Sequence, residues 1–266
     1  MARIGVHIDG PDPLDGARAR GANAVQFFLG DPQGWKGPVL PGEPGEIRAA
    51  FTAAGVDAYV HAPYVINVAT TNNRIRIPSR KLLTQQLEAA SSIGAKALIV
   101  HGGHVTSGVD PAEGYVNWRK AMERVERPIP LLIENTAGGT HAMARTLDAI
   151  GQLWDAVMAG ARDGGGDVGF CLDTCHAYSA GLDLADVAGK VTAITGRIDL
   201  VHCNNSRDGF GSGRDRHAGL TAGTIDPEAI LAVVRAAGAP AICETPDEDG
   251  SLAGDVRWLR EQLAAA

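Results

Sequence analysis

Short, continuously apolar runs alternate along the chain with longer segments of helical periodicity. The longer segments are rich in alanine, carry charge on one face and are usually followed by glycine, as in 79–95 and 227–239. Apolar runs without polar alternation are typical of parallel strands that are buried on both faces. The runs predicted as strands are 3–8, 24–29, 58–62, 97–102, 130–135, 168–173, 200–204 and 241–245.

Eight strand–helix units in 266 residues match the size of a (β/α)₈ TIM barrel, so we predict one α/β domain over residues 1–266. A doubly wound open sheet is the alternative. No predicted strand is followed by a glycine-rich dinucleotide fingerprint, which disfavours that alternative and any nucleotide cofactor. The glycines of RDGGGD (162–167) predict a turn before the sixth strand.

Composition narrows the class of protein further. Apolar residues make up 45% of the chain and charged residues 21%, enough for a large core. No apolar stretch reaches the length of a bilayer span, and four cysteines are too few for a disulfide scaffold, so we expect a reduced, cytoplasmic protein with no membrane partner. The net charge of −7 argues against a polyanionic partner unless bound cations reverse it locally.

Six successive predicted strands carry a metal-ligand side chain at their carboxyl end, within two residues of the last position. In a barrel these positions point into one bowl at the carboxyl ends of the strands. Imidazole and carboxylate groups are the ligands of zinc, manganese and iron. The six residues are His61, His101, Glu134, Asp173, His202 and Glu244.

Three further candidates follow just beyond strand ends. His176 comes three residues after Asp173, and Asp215 and His217 lie two apart in the loop after the seventh strand. Nine candidate ligands exceed what one or two ions need, which suggests three metals with a bridging carboxylate. Some of the nine could instead orient the others.

Cysteines adjoin these ligands in the sequence, most visibly in CLDTCH (171–176). Alternation along a strand points Cys203 and Cys243 away from the bowl and places Cys171 one layer below Asp173. We interpret the cysteines as buried packing groups.

Three stretches after predicted strands, 29–43, 62–78 and 204–224, are longer than simple connections require. Barrels place function in such loops.

These motifs together resemble those of the endonuclease IV family, the metal-dependent apurinic/apyrimidinic endonucleases. The resemblance spans essentially the whole chain. The motifs, all in the family's order, are HAPYVINVA (61–69), HGGH (101–104), ENTAGG (134–139), CLDTCHAYSAG (171–181), HCNNSRDGFGSGRDRHAGL (202–220) and CETP (243–246).

The resemblance implies an enzyme that hydrolyses the phosphodiester 5′ to abasic sites in duplex DNA, leaves 3′-OH ends and repairs 3′-blocked ends. It implies three Zn²⁺ ions, although Mn²⁺ or Fe²⁺ would accept the same ligands. Carried over, His61, His101 and Glu134 hold the first ion, and Glu134 bridges to a second held by Asp173, His202 and Glu244. His176, Asp215 and His217 hold the third. A hydroxide shared by the first two ions is the implied nucleophile, oriented by the catalytic candidates Glu134 and Glu244.

The resemblance also implies DNA contacts from the long loops. Tyr64 and Trp35 occupy positions of side chains pushed into the duplex, and Gln33 stands where some members carry arginine. The phosphate contacts expected are Arg207, Arg214 and Arg216. A second departure is Asn205, where we expect aspartate; its loss would remove a carboxylate near the second metal.

A metal-dependent sugar isomerase or epimerase of the same barrel class is the alternative function. Such enzymes need two metals at most, and many use a lysine at a strand end. The five lysines here, at 36, 81, 96, 120 and 190, end no predicted strand. The partner that the family resemblance implies is duplex DNA with abasic sites, and we expect a monomer to bind it.

Overall fold

The predicted strands form a closed barrel of eight parallel strands with helices between them. The structure is a computed structural model, which describes residues 3–161, 167–247 and 250–265. Around the barrel the order is β1-β2-β3-β4-β5-β6-β7-β10, and β10 closes onto β1. The fold is thus a single-domain (β/α)₈ barrel, and the prediction from the sequence is confirmed.

The ten strands include the eight of the barrel and two short ones in the loop after β7. They are β1 Ile4–His7, β2 Ala24–Phe28, β3 Asp57–His61, β4 Leu98–His101, β5 Leu131–Glu134, β6 Val168–Asp173, β7 Leu200–His202, β8 Asn205–Ser206, β9 His217–Ala218 and β10 Ala241–Cys243. β8 and β9 pair antiparallel, so the long loop after β7 is an ordered ribbon.

The helices in the described residues follow the strands in alternation. They are α1 Pro13–Ala19, α2 Pro44–Ala54, α3 Asn73–Ser92, α4 Pro111–Met122, α5 Leu147–Gly160, α6 Thr174–Ala180, α7 Val187–Thr195, α8 Pro227–Ala237 and α9 Ser251–Ala264. Asp110 and Asp226 cap α4 and α8 by accepting a backbone N–H, and a proline follows each cap at the first helical position.

Two predicted bounds were wrong. The stretch 62–78 is a loop only to residue 72, because the Asn72 side chain caps α3 and Pro78 is accommodated in its second turn. The last barrel strand ends at Cys243, so Glu244 lies one residue beyond it. The turn predicted at 162–167 falls almost wholly outside the described residues.

The core has two layers. Eight buried side chains, Cys171 and Tyr59 among them, fill the barrel interior, whereas Cys203 and Cys243 belong to the larger cluster between strands and helices. This confirms the predicted orientations of the cysteines. No helix of the described chain is long and apolar enough to cross a bilayer.

Helix α5 offers a matched test of this packing. A Cβ at Gly160 would lie 2.3 Å from the carbonyl oxygen of Arg119 in α4, whereas a Cβ at Gly151 would meet nothing closer than 3.9 Å. We expect Gly160→Ala to lower the free energy of unfolding by about 1–3 kcal/mol through overpacking. Gly151→Ala should raise it by about 0.5–1 kcal/mol through helix propensity. Urea unfolding of both variants measures the difference, and equal effects would contradict the close approach.

Candidate metal centre

The carboxyl ends of the barrel strands bring the predicted ligands together. Strand register pairs His101 with Glu134 and Asp173 with His202, so each pair lies side by side at the mouth. Five strands end at a ligand candidate, and their parallel alignment fixes the depth of those side chains.

Glu134 lies at the centre of the cluster and is 1% exposed. Its Oε2 lies 3.1 Å from His61 Nε2 and 3.2 Å from His101 Nε2. Its Oε1 lies 3.1 Å from His202 Nδ1 and 3.2 Å from His176 Nδ1. One buried carboxylate therefore contacts four imidazoles, which suits a bridging ligand.

A second group of side chains lies around His202, which contacts Oε1 of Glu134. His202 Nδ1 lies 3.3 Å from Glu244 Oε2 and 4.0 Å from Asp173 Oδ2. Asn204 Nδ2 donates to both of these carboxylate oxygens, at 2.7 Å to Asp173 and 3.0 Å to Glu244. Both carboxylates are thereby held facing His202.

A third group lies nearer the loops. Asp173 caps α6 by accepting from His176 N at 2.6 Å, which fixes the ring of His176 one turn along. Asp215 Oδ2 lies 3.0 Å from His176 Nε2, and its Oδ1 lies 3.1 Å from His217 Nε2. The ribbon β8–β9 carries His217 into this position.

The hydrogen bonds of the histidines fit metal ligands. His61, His176 and His217 each place Nδ1 within 2.8–3.2 Å of a backbone carbonyl oxygen, so donation from Nδ1 leaves an Nε2 lone pair facing a carboxylate. Buried Nε2 atoms of His176 and His217 find no hydrogen-bond partner among the described residues. Two facing lone pairs repel each other unless a proton or a cation lies between them, so the donor set fits divalent ions.

The electrostatics agree with this fit. Burial raises the pKa of Glu134, but His202 and His101 outweigh it and hold the pKa well below the ordinary value. Burial lowers the pKa of His217, but the Asp215 carboxylate beside it brings the pKa to about 9. The carboxylates around His202 likewise hold its pKa well above the ordinary value despite burial, so metal binding at His202 and His217 would release protons.

The nine residues separate by distance into groups whose ligand atoms lie within 4.8 Å of one another. The groups are His61, His101 and Glu134; then Glu134, Asp173, His202 and Glu244; then His176, Asp215 and His217. A further group joins Cys175 to Asp173 and His217, but burial raises the pKa of the Cys175 thiol to about 11, which disfavours the thiolate.

Sequence reasoning missed the amides that orient these ligands. His202 Nε2 lies 2.8 Å from Gln26 Oε1, and Gln26 Nε2 donates to Glu244 Oε1 at 2.6 Å. Asn135 brackets the backbone of Asp173 with two hydrogen bonds. The only signal for these orienting amides in the sequence was their position, since each of them lies within an apolar run or directly after one. His7 lies beside the ligands as well: its Nδ1 lies 3.0 Å from Gln26 Nε2 and 3.7 Å from Glu244 Oε1.

The interpretation of Asn205 was wrong. Its side chain is fully buried and donates to the carbonyl oxygens of Leu220 and Ile225, while accepting from Ile225 N. Its neighbour Asn204 contacts the candidate ligands instead. Asn205 therefore closes the loop that carries His217 and contributes no group to the metal centre.

A cavity of about 600 Å³ opens beside the ligands. Gly30 and Pro32 line it from the loop after β2, and Tyr64, His217 and Glu244 line it from the other sides. Tyr64 is 55% exposed, and its ring lies 5.6 Å from that of His61. An exposed aromatic side chain thus stands at the rim of the metal centre.

The other predicted DNA contacts lie farther out. Trp35 is exposed but lines a separate groove, and Gln33 is exposed on the same loop. Arg214 and Arg216 both pair with Asp208, while Arg207 Nε donates to the carbonyl oxygen of His217. The three arginines are exposed, but the ribbon already holds them in place.

A parallel barrel with clustered histidines and carboxylates at its mouth is typical of metal-binding TIM-barrel proteins. The comparisons show the same fold. The family model described as "Xylose isomerase-like TIM barrel" matches residues 14–262. A D-tagatose 3-epimerase-like protein superposes with a TM-score of 0.80 over 100% of this chain and 98% of its own, at 17% identity, which shows the fold alone.

Closer relatives narrow the class. The chain is 54% identical over 262 residues to a "Probable endonuclease 4" of Mycobacterium tuberculosis (strain ATCC 25177 / H37Ra), covering 98% of this chain and 99% of that one. It is 51% identical over 261 residues to that of Mycobacterium leprae (strain Br4923), with the same coverage. Endonuclease IV from Thermus thermophilus matches with a TM-score of 0.82 and 32% identity over 99% of this chain and 100% of its own. The chain belongs to the endonuclease IV family.

The role of Asn205 can be tested by removing its side chain. Asn205→Ala leaves the carbonyl oxygens of Leu220 and Ile225 without their donors in a buried site, so we expect the free energy of unfolding to fall by about 1–3 kcal/mol. Gln152→Ala, an exposed amide in α5, should change it by less than about 0.5 kcal/mol. Denaturant unfolding gives both values. A loss of bound metal without a loss of stability would restore the original interpretation.

Proposed function

We propose that this protein is a DNA-repair endonuclease that hydrolyses the phosphodiester 5′ to abasic sites in duplex DNA and leaves 3′-OH ends. Family membership supports the reaction class. The observation that carries the proposal is the division of nine ligand candidates into three groups, two of which share Glu134. We extend it to removal of 3′-blocking phosphodiesters, which presents the same bond to the same site.

The residues of the three groups would hold three zinc ions, or Mn²⁺ or Fe²⁺ at some positions. Bound there, divalent cations would lower the pKa of water and stabilise charge on the phosphate and the departing oxygen. Glu134 would bridge the first two groups, with each oxygen already directed at a different pair of histidines.

The protein side chains would bind and orient, without acting as the nucleophile. Burial raises the pKa of Glu244, but His202 outweighs it and lowers the pKa to about 2, so Glu244 stays ionised and able to orient an attacking water. Asn204 and Gln26 would hold its two oxygens. Three divalent ions add about +6 to the formal charge of −7, which would make the mouth cationic.

The duplex would lie across the barrel mouth. Tyr64, exposed beside His61, is the candidate for insertion at the lesion, since an aromatic ring can replace a missing base in the stack. Arg207, Arg214 and Arg216 would contact phosphates on one side. We retain monomeric action in the cytoplasm as predictions.

The sugar isomerase alternative fits the residues less well. A sugar isomerase needs two metals at most, so it would have no use for a third set of metal ligands. The third group here is His176, Asp215 and His217. No lysine ends any of the barrel strands in the described chain, and the epimerase likeness is one of fold alone.

The reaction is tested with a duplex that carries one tetrahydrofuran abasic analogue. We expect zinc-replete protein to nick the lesion strand on its 5′ side. Brief EDTA treatment should leave the activity intact, because the metals would be buried and multiply held, and prolonged chelation should abolish it. Product mapping on a sequencing gel measures the position. Turnover of a ketose or aldose with no nicking would support the isomerase.

The bridging role is tested by Glu134→Gln. An amide offers one acceptor oxygen instead of two, so we expect cleavage to fall roughly 100-fold or more while the fold is retained. Elemental analysis of both proteins should give three ions per chain for the wild type and fewer for the variant.

Glu261→Gln, an exposed carboxylate in α9, is the matched control and should keep wild-type activity and metal content. Near-wild-type cleavage by a folded Glu134→Gln variant would show that Glu134 does not bridge.

A further inference from the structure

A second groove, of about 420 Å³, lies outside the metal centre between the loop that follows β2 and helix α3. We call it the α3 groove. It is lined by Trp35, Gly37, Arg74, Pro78, Lys81, Leu82 and Gln85. The groove shares no lining residue with the cavity beside the metal ligands.

The helical side of the α3 groove is one continuous stripe. Arg74, Pro78, Lys81 and Gln85 follow one another at intervals of four, three and four residues, which places them on one face of α3. Trp35, 47% exposed, faces this stripe from the loop. The groove thus joins two cations, an amide and an aromatic surface.

Positive charge is concentrated here in an otherwise acidic chain. No Asp or Glu occurs between Asp57 and Glu88. Among the described residues, no carboxylate oxygen lies within 4.0 Å of the charged nitrogens of Arg74 or Lys81. Arg214 and Arg216, by contrast, both pair with Asp208.

Fold stability does not explain this arrangement. The first turn of a helix favours carboxylates, and α4 and α8 carry Glu113 and Glu228 there. Helix α3 has no acidic residue in its first turn and carries Arg74 instead. An exposed cation in the first turn slightly destabilises the helix, and an external anion bound there would offset this repulsion.

We propose that the α3 groove binds the sugar–phosphate backbone of the duplex beside the lesion. Arg74 and Lys81 contact phosphates, and Trp35 packs against the intervening sugar. This inference rests on the proposed function, and it gives Trp35 a role outside the lesion itself.

One loop connects the α3 groove with the metal centre. Gly30 and Pro32 line the cavity beside the ligands, and Trp35 and Gly37 line the groove a few residues later. The Pro32 carbonyl oxygen accepts from Tyr64 N at 2.8 Å, which ties this loop to the aromatic at the rim. Three extended residues span at most about 11 Å, or about three nucleotides at a rise of about 3.4 Å along a strand. The seven residues from Arg74 to Lys81 add about 10 Å along α3, or about three nucleotides more, so the groove reaches phosphates roughly three to six nucleotides from the lesion.

The test uses the holoenzyme and the double variant Arg74→Gln/Lys81→Gln. We expect the salt dependence of duplex binding, the slope of log K against log[salt], to become shallower by about 2, because two phosphate contacts are lost. KM for the lesion duplex should rise several-fold near 0.1 M salt while kcat stays unchanged, since neither residue touches the reacting bond.

Lys120→Gln is the matched control. Lys120 is exposed in the last turn of α4, and in this fold that end of the helix lies at the opposite face of the barrel. The control should keep the wild-type slope and KM. Melting temperature and zinc content of each variant establish that fold and metal centre are intact.

A second arm neutralises the DNA instead of the protein. Methylphosphonates placed roughly three to six nucleotides from the abasic analogue, on each strand in turn, should weaken wild-type binding on one strand as much as the double variant does. The double variant should then bind the methylphosphonate duplex no more weakly than it binds the unmodified lesion duplex, because both changes remove the same contact.

The outcomes separate the two proposals. If the wild type nicks lesion DNA but the double variant matches Lys120→Gln in slope and KM, the α3 groove inference is overturned and the proposed function stands. If the wild type does not nick, the proposed function fails. The groove is then judged by the salt slope on undamaged duplex, where an unchanged slope overturns it and a reduced slope supports it.

Discussion

The buried carboxylate of Glu134 is the constraint on which the rest of the site depends. A charge with 1% exposure is tolerated only when cations or hydrogen-bond donors surround it, and here four imidazoles do so. Those imidazoles come from three strand ends and from α6, so the register of the barrel is coupled to the charge at its mouth. A shift of one residue in any of these strands would turn its ligand away.

The surrounding hydrogen bonds preorganise the ligands. Backbone carbonyl oxygens lie against Nδ1 of His61, His176 and His217, and amides hold the carboxylates of the second group. The ligand atoms of each group lie within 4.8 Å of one another, so a cation could contact all of them without a large rearrangement.

The sequence predicted the fold and the clustering of the strand-end candidates because both follow from local rules, whereas their division among three ions came from the resemblance to the endonuclease IV family. Parallel strands align their carboxyl ends, so a histidine or carboxylate at the end of an apolar run can be placed without coordinates. The roles of Gln26 and Asn204 were not predicted, since each depends on partners more than 30 residues away. Asn205 was misread for a different reason: its partners are carbonyl oxygens of a loop whose path the sequence does not specify.

Charge distribution reconciles an acidic chain with the proposed polyanionic substrate. Arg214 and Arg216 share Asp208, so they are positioned at the expense of part of their attraction for phosphate. The cations that line the α3 groove, Arg74 and Lys81, have the opposite balance, because no carboxylate in the described chain pairs with them. Long-range attraction would then come from α3 and the metal-loaded mouth, whereas the ribbon would supply geometry at short range. Such a division allows a net charge of −7, because the field that a duplex meets depends on the face it approaches and not on the sum over the chain.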